Sequence, residues 1–116
     1  MTGYAAKQGD IVMMDFTPQS GHEQAGRRPA LVVSNDFFNR VTHMALVCPI
    51  TNTVRSFPLH VALDERTQTT GFVLCEQVKS LDLTARKVDF KEKAPIDIVN
   101  DCIERICLSV EPTNQA

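Results

Sequence analysis

The apolar residues of the chain are grouped in short runs, separated by polar stretches that contain Gly, Pro, Ser and Asn. Runs of this length, bounded by turn-forming residues, are typical of β-strands. They predict short strands over residues 10–16, 30–34, 44–50, 57–63, 72–75, 78–81 and 86–91. Pro49 cannot donate to a sheet ladder, so the third strand is expected to end there or to reach an edge of the sheet.

A different period begins after Pro95. Apolar residues recur there at helical spacing, at Ile96, Val99, Ile103, Ile106 and Val110. This spacing predicts one amphipathic helix of about 14 residues. Pro95 suits the first helical position, and Asp97 would complement the helix dipole in the first turn. A shorter helical turn is expected at residues 36–40, with Asn35 or Asp36 as its N-cap.

The predicted fold is mainly β: a strongly bent sheet or small barrel of short antiparallel strands, closed by a C-terminal helix. The 116 residues, 43% of them apolar, suit a single domain over residues 1–116. Glu76 and Gln77 interrupt an otherwise apolar stretch. Because neighbouring strand residues point to opposite faces, at most one of the two is expected to face the core.

The composition and the net charge argue against some classes of function. The net charge of −2 argues against a protein that coats nucleic acid through bulk positive charge, although a local basic groove suffices for a nuclease. No apolar run is long enough for a transmembrane helix, and the first residues do not resemble a signal peptide, so a cytoplasmic protein without a membrane partner is expected. The four cysteines lack C-x-x-C spacing and are expected to be free, buried thiols.

The segment with the most chemistry is His22-Glu23-Gln24-Ala25-Gly26-Arg27-Arg28-Pro29. It joins an imidazole, a carboxylate and two guanidinium groups, and it belongs to a loop expected over residues 17–27, of a length that is often functional. Pro29 restricts Arg28 to extended conformations, which places this arginine where the loop meets a strand. A solvated charged turn is the ordinary alternative for such a sequence.

Two further segments are candidates. Pro49-Ile50-Thr51-Asn52-Thr53 can point a hydroxyl into a cleft at the end of a buried strand, with simple turn chemistry as the alternative. Glu76-Gln77 can place a polar side chain in a groove or merely in solvent. His43 and His60 have no partner at metal-ligand spacing, and no Cys/His cluster or Gly-rich phosphate loop is present in the sequence, so neither a metal nor a cofactor is expected.

In this order, the segments resemble the MazF/PemK (Kid) family of toxins from type II toxin–antitoxin systems. The matching stretches are Gly9-Asp10-Ile11-Val12, Asp15-Phe16, Gly21-His22-Glu23-Gln24-Ala25-Gly26, Arg28-Pro29-Ala30, Phe38-Asn39-Arg40-Val41-Thr42, Pro49-Ile50-Thr51 and Glu76-Gln77-Val78-Lys79. The resemblance extends over about residues 8–110. The G-H-E-Q-x-G-x-R-P segment is specific, and the ordered set is more specific than any one piece.

The resemblance implies an SH3-like barrel of the CcdB/PemK type that pairs as a homodimer. It also implies a sequence-specific endoribonuclease, which cleaves single-stranded mRNA without a metal, leaves 2′,3′-cyclic phosphate and 5′-hydroxyl ends, and so inhibits translation and growth. The implied protein partner is a cognate MazE- or PemI-like antitoxin, whose disordered tail would lie across the RNA groove.

Arg28 and Thr51 match the family's catalytic Arg and Thr. The guanidinium can hold two phosphate oxygens, so electrostatic stabilisation of the transition state is expected as its main role. A base must also take the 2′-hydroxyl proton. Glu23, Glu76, His22 and Thr51 itself are alternatives for that base. The branch of the family with a PemK-type acid has an Arg two residues before it, where this chain has a leucine, and this shifts weight to Arg28.

The remaining candidates are RNA contacts, namely Gln77, Arg27, Asn35 and Arg55. Functions from other classes stay open beside the nuclease. A CcdB-like toxin resembles this fold but binds DNA gyrase without catalysis, and an RNA-binding module with an inactive site is a third alternative. The H-E-Q-x-G-x-R-P segment together with Thr51 discriminates between them, because a gyrase binder needs neither.

Overall fold

In the computed structural model, which describes residues 4–16 and 26–114, seven short strands form an antiparallel sheet against which a C-terminal helix packs. The strands are β1 (Asp10–Asp15), β2 (Arg27–Val32), β3 (Ala45–Thr51), β4 (His60–Ala62), β5 (Phe72–Leu74), β6 (Lys79–Leu81) and β7 (Asp89–Lys93). The helices are α1 (Asp36–Thr42) and α2 (Ile96–Ser109), and 3-10 turns occur at Cys75–Gln77 and Leu83–Ala85. The prediction of a mainly β chain with a C-terminal helix is confirmed.

The strand order is β4-β5-β3-β2-β1-β7, and β6 also pairs with β3. One edge of β3 pairs with β2 through Ala30–Val32. The other edge pairs with β6 through Ala45–Val47 and then with β5 through Ile50 and Thr51. The central strand therefore joins two parts of the sheet that do not otherwise share an edge along the described pairings.

The two faces of the sheet carry separate hydrophobic cores, as strand alternation requires. The face toward α2 is built from Ile11, Leu31, Cys48, Ile50, Val61 and Val73, with Ile98, Val99 and Cys102 of the helix. The opposite face is built from Val12, Met14, Phe16, Ala30, Val32, Ala45, Val47 and Leu83. Because both faces of β2 and β3 are covered, these two strands are continuous apolar runs in the sequence rather than alternating ones.

The C-terminal helix has the predicted length of 14 residues, with Asp97 in its first turn. Pro95 is the N-cap rather than the first helical residue. The predicted apolar stripe is wrong at both ends, since Ile96 is 69% and Val110 77% exposed. Ile96 points away from the centre of the buried stripe, and Val110 follows the helix, so the face against the sheet centres on Val99 and Cys102 instead.

The prediction that β3 would end at Pro49 or reach an edge there is wrong. The strand continues to Thr51, and Pro49 is fully buried opposite Ala30 of β2. On the other edge, Pro49 lies between the last residue paired with β6, Val47, and the first paired with β5, Ile50. A residue without an N–H is tolerated at this position because the ladder changes partner there.

Four other expectations need correction. Glu76 and Gln77 are not in a strand, because β5 ends at Leu74 and a 3-10 turn follows. The strand expected at residues 86–91 lies at Asp89–Lys93, and the run expected at 57–63 is paired only over His60–Ala62. The helical turn expected at 36–40 is the seven-residue α1, capped by the Asn35 side chain.

All four cysteines are free, as predicted. Cys48, Cys75 and Cys102 are buried, but Cys107 is exposed on the outer side of α2, so the expectation of burial is wrong for that residue. None of the helices in the described ranges has the length and apolar content to cross a membrane.

Gly71 determines how closely the β4–β5 hairpin approaches the end of β3. Its φ is +115°, and a Cβ built there would lie 2.5 Å from the carbonyl oxygen of Thr51 and 2.8 Å from the carbonyl carbon. Gly26 has a φ of +81° but no heavy atom within 4 Å of the same position. A side chain at Gly71 would meet both a strained φ and a steric collision, whereas one at Gly26 would meet only the strained φ. Comparing the two positions therefore distinguishes the two effects.

We expect Gly71→Ala to lower the free energy of unfolding by roughly 3 kcal/mol, because the strained φ and the collision with Thr51 add up. Gly26→Ala is the matched control and should cost about 1 kcal/mol, from the strained φ alone. Urea unfolding of the two variants measures the difference. Equal losses would contradict the proposed close approach at Thr51.

Candidate active site

Arg28 and Thr51 are brought together by strand register. The pairing of β2 with β3 sets Ala30 opposite Pro49. Continued by two residues, this register sets Arg28 opposite Thr51. Alternation then places both side chains on the face of the sheet that carries Ala30, which is the face away from α2. The two residues predicted to be catalytic, 23 positions apart in the chain, thus occupy facing positions.

The Thr51 hydroxyl is held in a local turn at the end of β3. Thr51 is buried, with 5% of its surface exposed. The Oγ1 atom accepts a hydrogen bond from the Thr53 backbone N–H at 3.2 Å and lies 2.9 Å from the Thr53 hydroxyl. Asn52 donates to the Thr70 hydroxyl at 3.1 Å, which ties the turn to the residue before Gly71. These contacts fix the hydroxyl in one orientation.

The two neighbouring arginines have different environments. Arg27 is exposed and donates to the Lys87 carbonyl at 2.6 Å and to the Asp89 carboxylate at 2.5 Å, so it is tied to β7. Arg28 is half-buried, lies opposite Met14 of β1, and is the second residue of β2. The predicted position of Arg28, at the point where a strand begins, is confirmed.

A histidine–carboxylate pair, which the sequence analysis missed, joins β4 to the 3-10 turn that follows β5. His60 Nε2 is 2.8 Å from Glu76 Oε2. β4 and β5 pair Ala62 with Phe72, and Phe72 also pairs with Thr51 across β3 and β5. His60 is two residues before Ala62 and therefore lies on the same face as Thr51. The sequence analysis considered His60 only as a metal ligand and did not relate it to Glu76.

The surroundings of the His60 ring favour its protonated form. Burial lowers the pKa of His60, but hydrogen bonds to the Glu76 carboxylate and to the Arg55 carbonyl, together with the charge of Glu76, outweigh this effect. The resulting pKa of His60 is above its usual value of 6.5. The ring also lies 5.0 Å from the Phe57 ring and 6.3 Å from the Phe72 ring, centroid to centroid, which restricts its orientation.

The other predicted site residues are distributed unevenly. Gln77 is half-buried in the 3-10 turn next to Glu76. Arg55 is exposed, and its carbonyl oxygen lies 3.0 Å from His60 Nδ1. Asn35 is occupied as the N-cap of α1, where its side chain accepts from the Phe38 N–H at 2.8 Å. It follows the end of β2, whereas Arg28 lies at the beginning, so the structure does not bring Asn35 to this site.

His22 and Glu23 lie outside the described residues. Within residues 4–16 and 26–114, His, Cys, Asp and Glu side chains do not form a group of three or more that could hold a metal ion. The groups that the described part brings to one face are thus a guanidinium, a hydroxyl, a carboxylate and an imidazole. Together they can bind a phosphate, orient it and exchange a proton.

Comparison with known proteins gives these groups a context. A family model described as PemK-like, MazF-like toxin of type II toxin–antitoxin system matches residues 7–110. The endoribonuclease PemK of Escherichia coli is 38% identical over 104 residues, which cover 86% of this chain and 78% of PemK. The chain therefore belongs to the PemK/MazF toxin family, and the resemblance inferred from the sequence is confirmed.

Solved structures agree with this assignment. The crystal structure of MazF (form I) from Deinococcus radiodurans is similar with a TM-score of 0.86 and 35% identity, over 93% of this chain and 98% of that one. The MazE–MazF complex (form II) from the same organism is similar with a TM-score of 0.80 and 29% identity, over 96% and 100% of the two chains. The predicted fold class is therefore confirmed.

Replacing Glu76 should lower the pKa of His60. In Glu76→Gln the carboxylate charge is lost while burial of the ring remains, and burial alone lowers the pKa. NMR titration of the ring carbons should therefore show His60 changing charge at lower pH in this variant than in the wild type. The exposed Glu65→Gln is the matched control and should leave the His60 titration unchanged.

The same pair makes stability depend on pH. A raised pKa in the folded state means that protonated His60 stabilises the fold below about pH 6.5 and that this contribution disappears as pH rises through the folded pKa. Wild type should exceed Glu76→Gln in free energy of unfolding near pH 6, with a smaller difference near pH 9. A difference that grows with pH would contradict the assignment of the proton to His60.

Proposed function

We propose that this protein is a toxin that acts as an endoribonuclease on single-stranded mRNA, and so inhibits translation and growth. The observation that carries the proposal is the register of β2 and β3, which, continued two residues beyond the Ala30–Pro49 pair, places Arg28 opposite Thr51 in a chain of the PemK/MazF family. The name of the PemK relative, an endoribonuclease, supports the activity. The gyrase-binding alternative is set aside, because such a binder needs neither residue.

The chemistry follows from what the groups can do. Cleavage by the adjacent 2′-hydroxyl forms a bond from O2′ to phosphorus and breaks the bond from phosphorus to O5′, giving a 2′,3′-cyclic phosphate and a 5′-hydroxyl. The phosphoryl oxygens gain negative charge on the way. Arg28 binds two of these oxygens through its guanidinium, and the Thr51 hydroxyl donates to one of them. Both are catalytic residues in this proposal, and no metal is needed.

Glu76 is the base that the described residues favour. Its Oε2 lies 2.8 Å from Nε2 of His60, a residue that strand register places on the same face as Thr51, and its side chain is 32% exposed. Thr51 is a poor base because an unactivated hydroxyl does not accept a proton near neutral pH. Glu23 and His22 remain alternatives on the segment outside the described residues, and they are tested by substitution in the same assay.

RNA binding, assembly and location complete the proposal. Gln77, Arg27 and Arg55 are RNA contacts in it, because the first lies beside Glu76 and the other two are exposed cations. Asn35 is the weakest of the predicted contacts, since its side chain caps α1. A cognate antitoxin neutralises the toxin in this proposal, and the solved MazE–MazF complex supports such a partner. The proposal also places the toxin in the cytoplasm as a homodimer, as the family resemblance implies.

Purified protein should cut a long single-stranded RNA into discrete fragments in the presence of EDTA. Mapping the 5′ ends identifies the recognition sequence, and the ends should carry 5′-hydroxyls that polynucleotide kinase labels without prior phosphatase. A copy of the RNA with 2′-deoxyribose at the cleavage position should stay intact, because O2′ is the nucleophile. Cleavage of that copy, or activity only with added metal, contradicts the proposal.

Substitution of the two facing residues should remove cleavage without unfolding the protein. Arg28→Ala should lower kcat by about 10²–10³-fold, because a preorganised charge at the phosphate is lost. The matched control is Arg40→Ala, which removes an exposed guanidinium from α1, near the other end of β3. Wild-type rates in Arg28→Ala would refute the assignment.

Two substitutions at Thr51 distinguish the role of the hydroxyl from the role of the side-chain shape. Thr51→Val keeps the volume and removes the hydroxyl, so it should lower kcat strongly, whereas Thr51→Ser keeps the hydroxyl and should retain most activity. Circular dichroism and thermal unfolding check that each variant is folded. Equal activity in the Val and Ser variants would show that the hydroxyl has no role.

A further inference from the structure

We propose that His60 is a positioning residue of the cleavage site, which fixes one oxygen of Glu76 so that the other oxygen takes the 2′-hydroxyl proton. The inference rests on the proposed endoribonuclease function and adds to it a residue that lies outside the resemblance-based set. It also selects Glu76 among the alternative bases. The contacts of the His60 ring, its burial and the sheet register carry it.

The hydrogen bonds of the ring leave little choice of protonation state. Nδ1 lies 3.0 Å from the Arg55 carbonyl oxygen, which can only accept. Nε2 lies 2.8 Å from Glu76 Oε2, and an ionised carboxylate can also only accept. Both ring nitrogens must therefore carry hydrogen while Glu76 is ionised. The pair is an imidazolium donating to a carboxylate, a charge-assisted hydrogen bond.

Burial assigns different roles to the two partners. The His60 side chain is 9% exposed, whereas that of Glu76 is 32% exposed. The imidazolium is thus behind the carboxylate, and the carboxylate is the group that substrate can reach. With Oε2 held by His60, Oε1 is the oxygen left to accept a proton from substrate.

Other charged groups around the ring do not supply the same contact. The Glu76 carboxylate and the charge of the Cys75 side chain, both in the 3-10 turn, raise the pKa of His60. From α2, Arg105 donates to Asp101 at 2.9 Å and to the Pro58 carbonyl, two residues before His60. From the segment before β4, Arg55 presents its backbone carbonyl. Glu76 is accordingly the carboxylate to which the ring donates.

The reaction step balances without a further reagent. The proton on O2′ moves to Glu76 Oε1, and the electron pair left on O2′ forms the new bond to phosphorus. The bond from phosphorus to O5′ breaks with its electron pair on O5′, which takes a proton from water, and Glu76 Oε1 returns its proton to the hydroxide that is left. One proton is lost and one is gained, so the step consumes no net acid or base. His60 keeps its own protons throughout and holds the acceptor oxygen in place.

Two substitutions separate hydrogen bonding from charge. His60→Gln can still donate an N–H to Glu76 but does not titrate. His60→Phe keeps an aromatic ring between Phe57 and Phe72 but cannot donate. The assay measures kcat and KM against pH on the mapped RNA site, and binding of the 2′-deoxy copy measures affinity separately. The full-length protein is used throughout.

We expect His60→Phe to lower kcat by about 10²-fold, with KM and binding of the 2′-deoxy copy nearly unchanged. Wild-type kcat should fall on the basic side, because neutral His60 keeps a single N–H and can no longer donate to both the Arg55 carbonyl and Glu76. His60→Gln should retain roughly one tenth of the wild-type kcat or more, and its basic limb should disappear. If His60→Phe does not fold, the pH profile of His60→Gln alone decides.

Three results would overturn the inference. Wild-type kcat in His60→Phe would show that the ring has no role in positioning. A basic limb that persists unchanged in His60→Gln would assign that limb to another group. Failure of the wild-type protein to cut RNA at any pH would overturn the proposed function itself. If instead the wild type cuts RNA and the His60 variants cut it equally well, only the inference about His60 is overturned.

Discussion

The partner change along β3 is the constraint on which the rest of the structure depends. Its first half is paired with β6 and its last two residues with β5, while β2 runs along the opposite edge. Both faces of the strand are buried, one against α2 and one against the second core. A slip of one residue would exchange these faces. The register that keeps apolar residues in the two cores therefore also sets which polar side chain stands at the strand's end.

Local sequence patterns predicted the elements that are determined by residues close together in the chain. Helix α2 follows from the spacing of its apolar residues, and the cap of α1 follows from the residue type at position 35. Pro49 was misjudged because its tolerance depends on which strand lies beside it, and no local rule states this. Glu76 was expected in a strand for the same reason: the apolar run around it does not reveal that the chain turns after Leu74.

The candidate site was predictable only in part. Arg28 and Thr51 were found through an ordered set of short segments, and neither stood out by composition alone. The partnership of His60 and Glu76 had no sequence signal, because 16 residues and a hairpin separate them. Only the pairing of β4 with β5 brings the ring to the carboxylate. A prediction of both strands without their register leaves the two residues unrelated.

The site is assembled from two sides that meet at Thr51. Arg28 arrives from β2, and the His60–Glu76 pair arrives from the β4–β5 hairpin, so neither strand pairing alone can build the site. Gly71 permits a close backbone approach at this junction, against the Thr51 carbonyl. The geometry of the site thus depends on packing at the end of a strand. The net charge of the chain, −2, does not prevent phosphate binding, because a cation placed locally can still attract it.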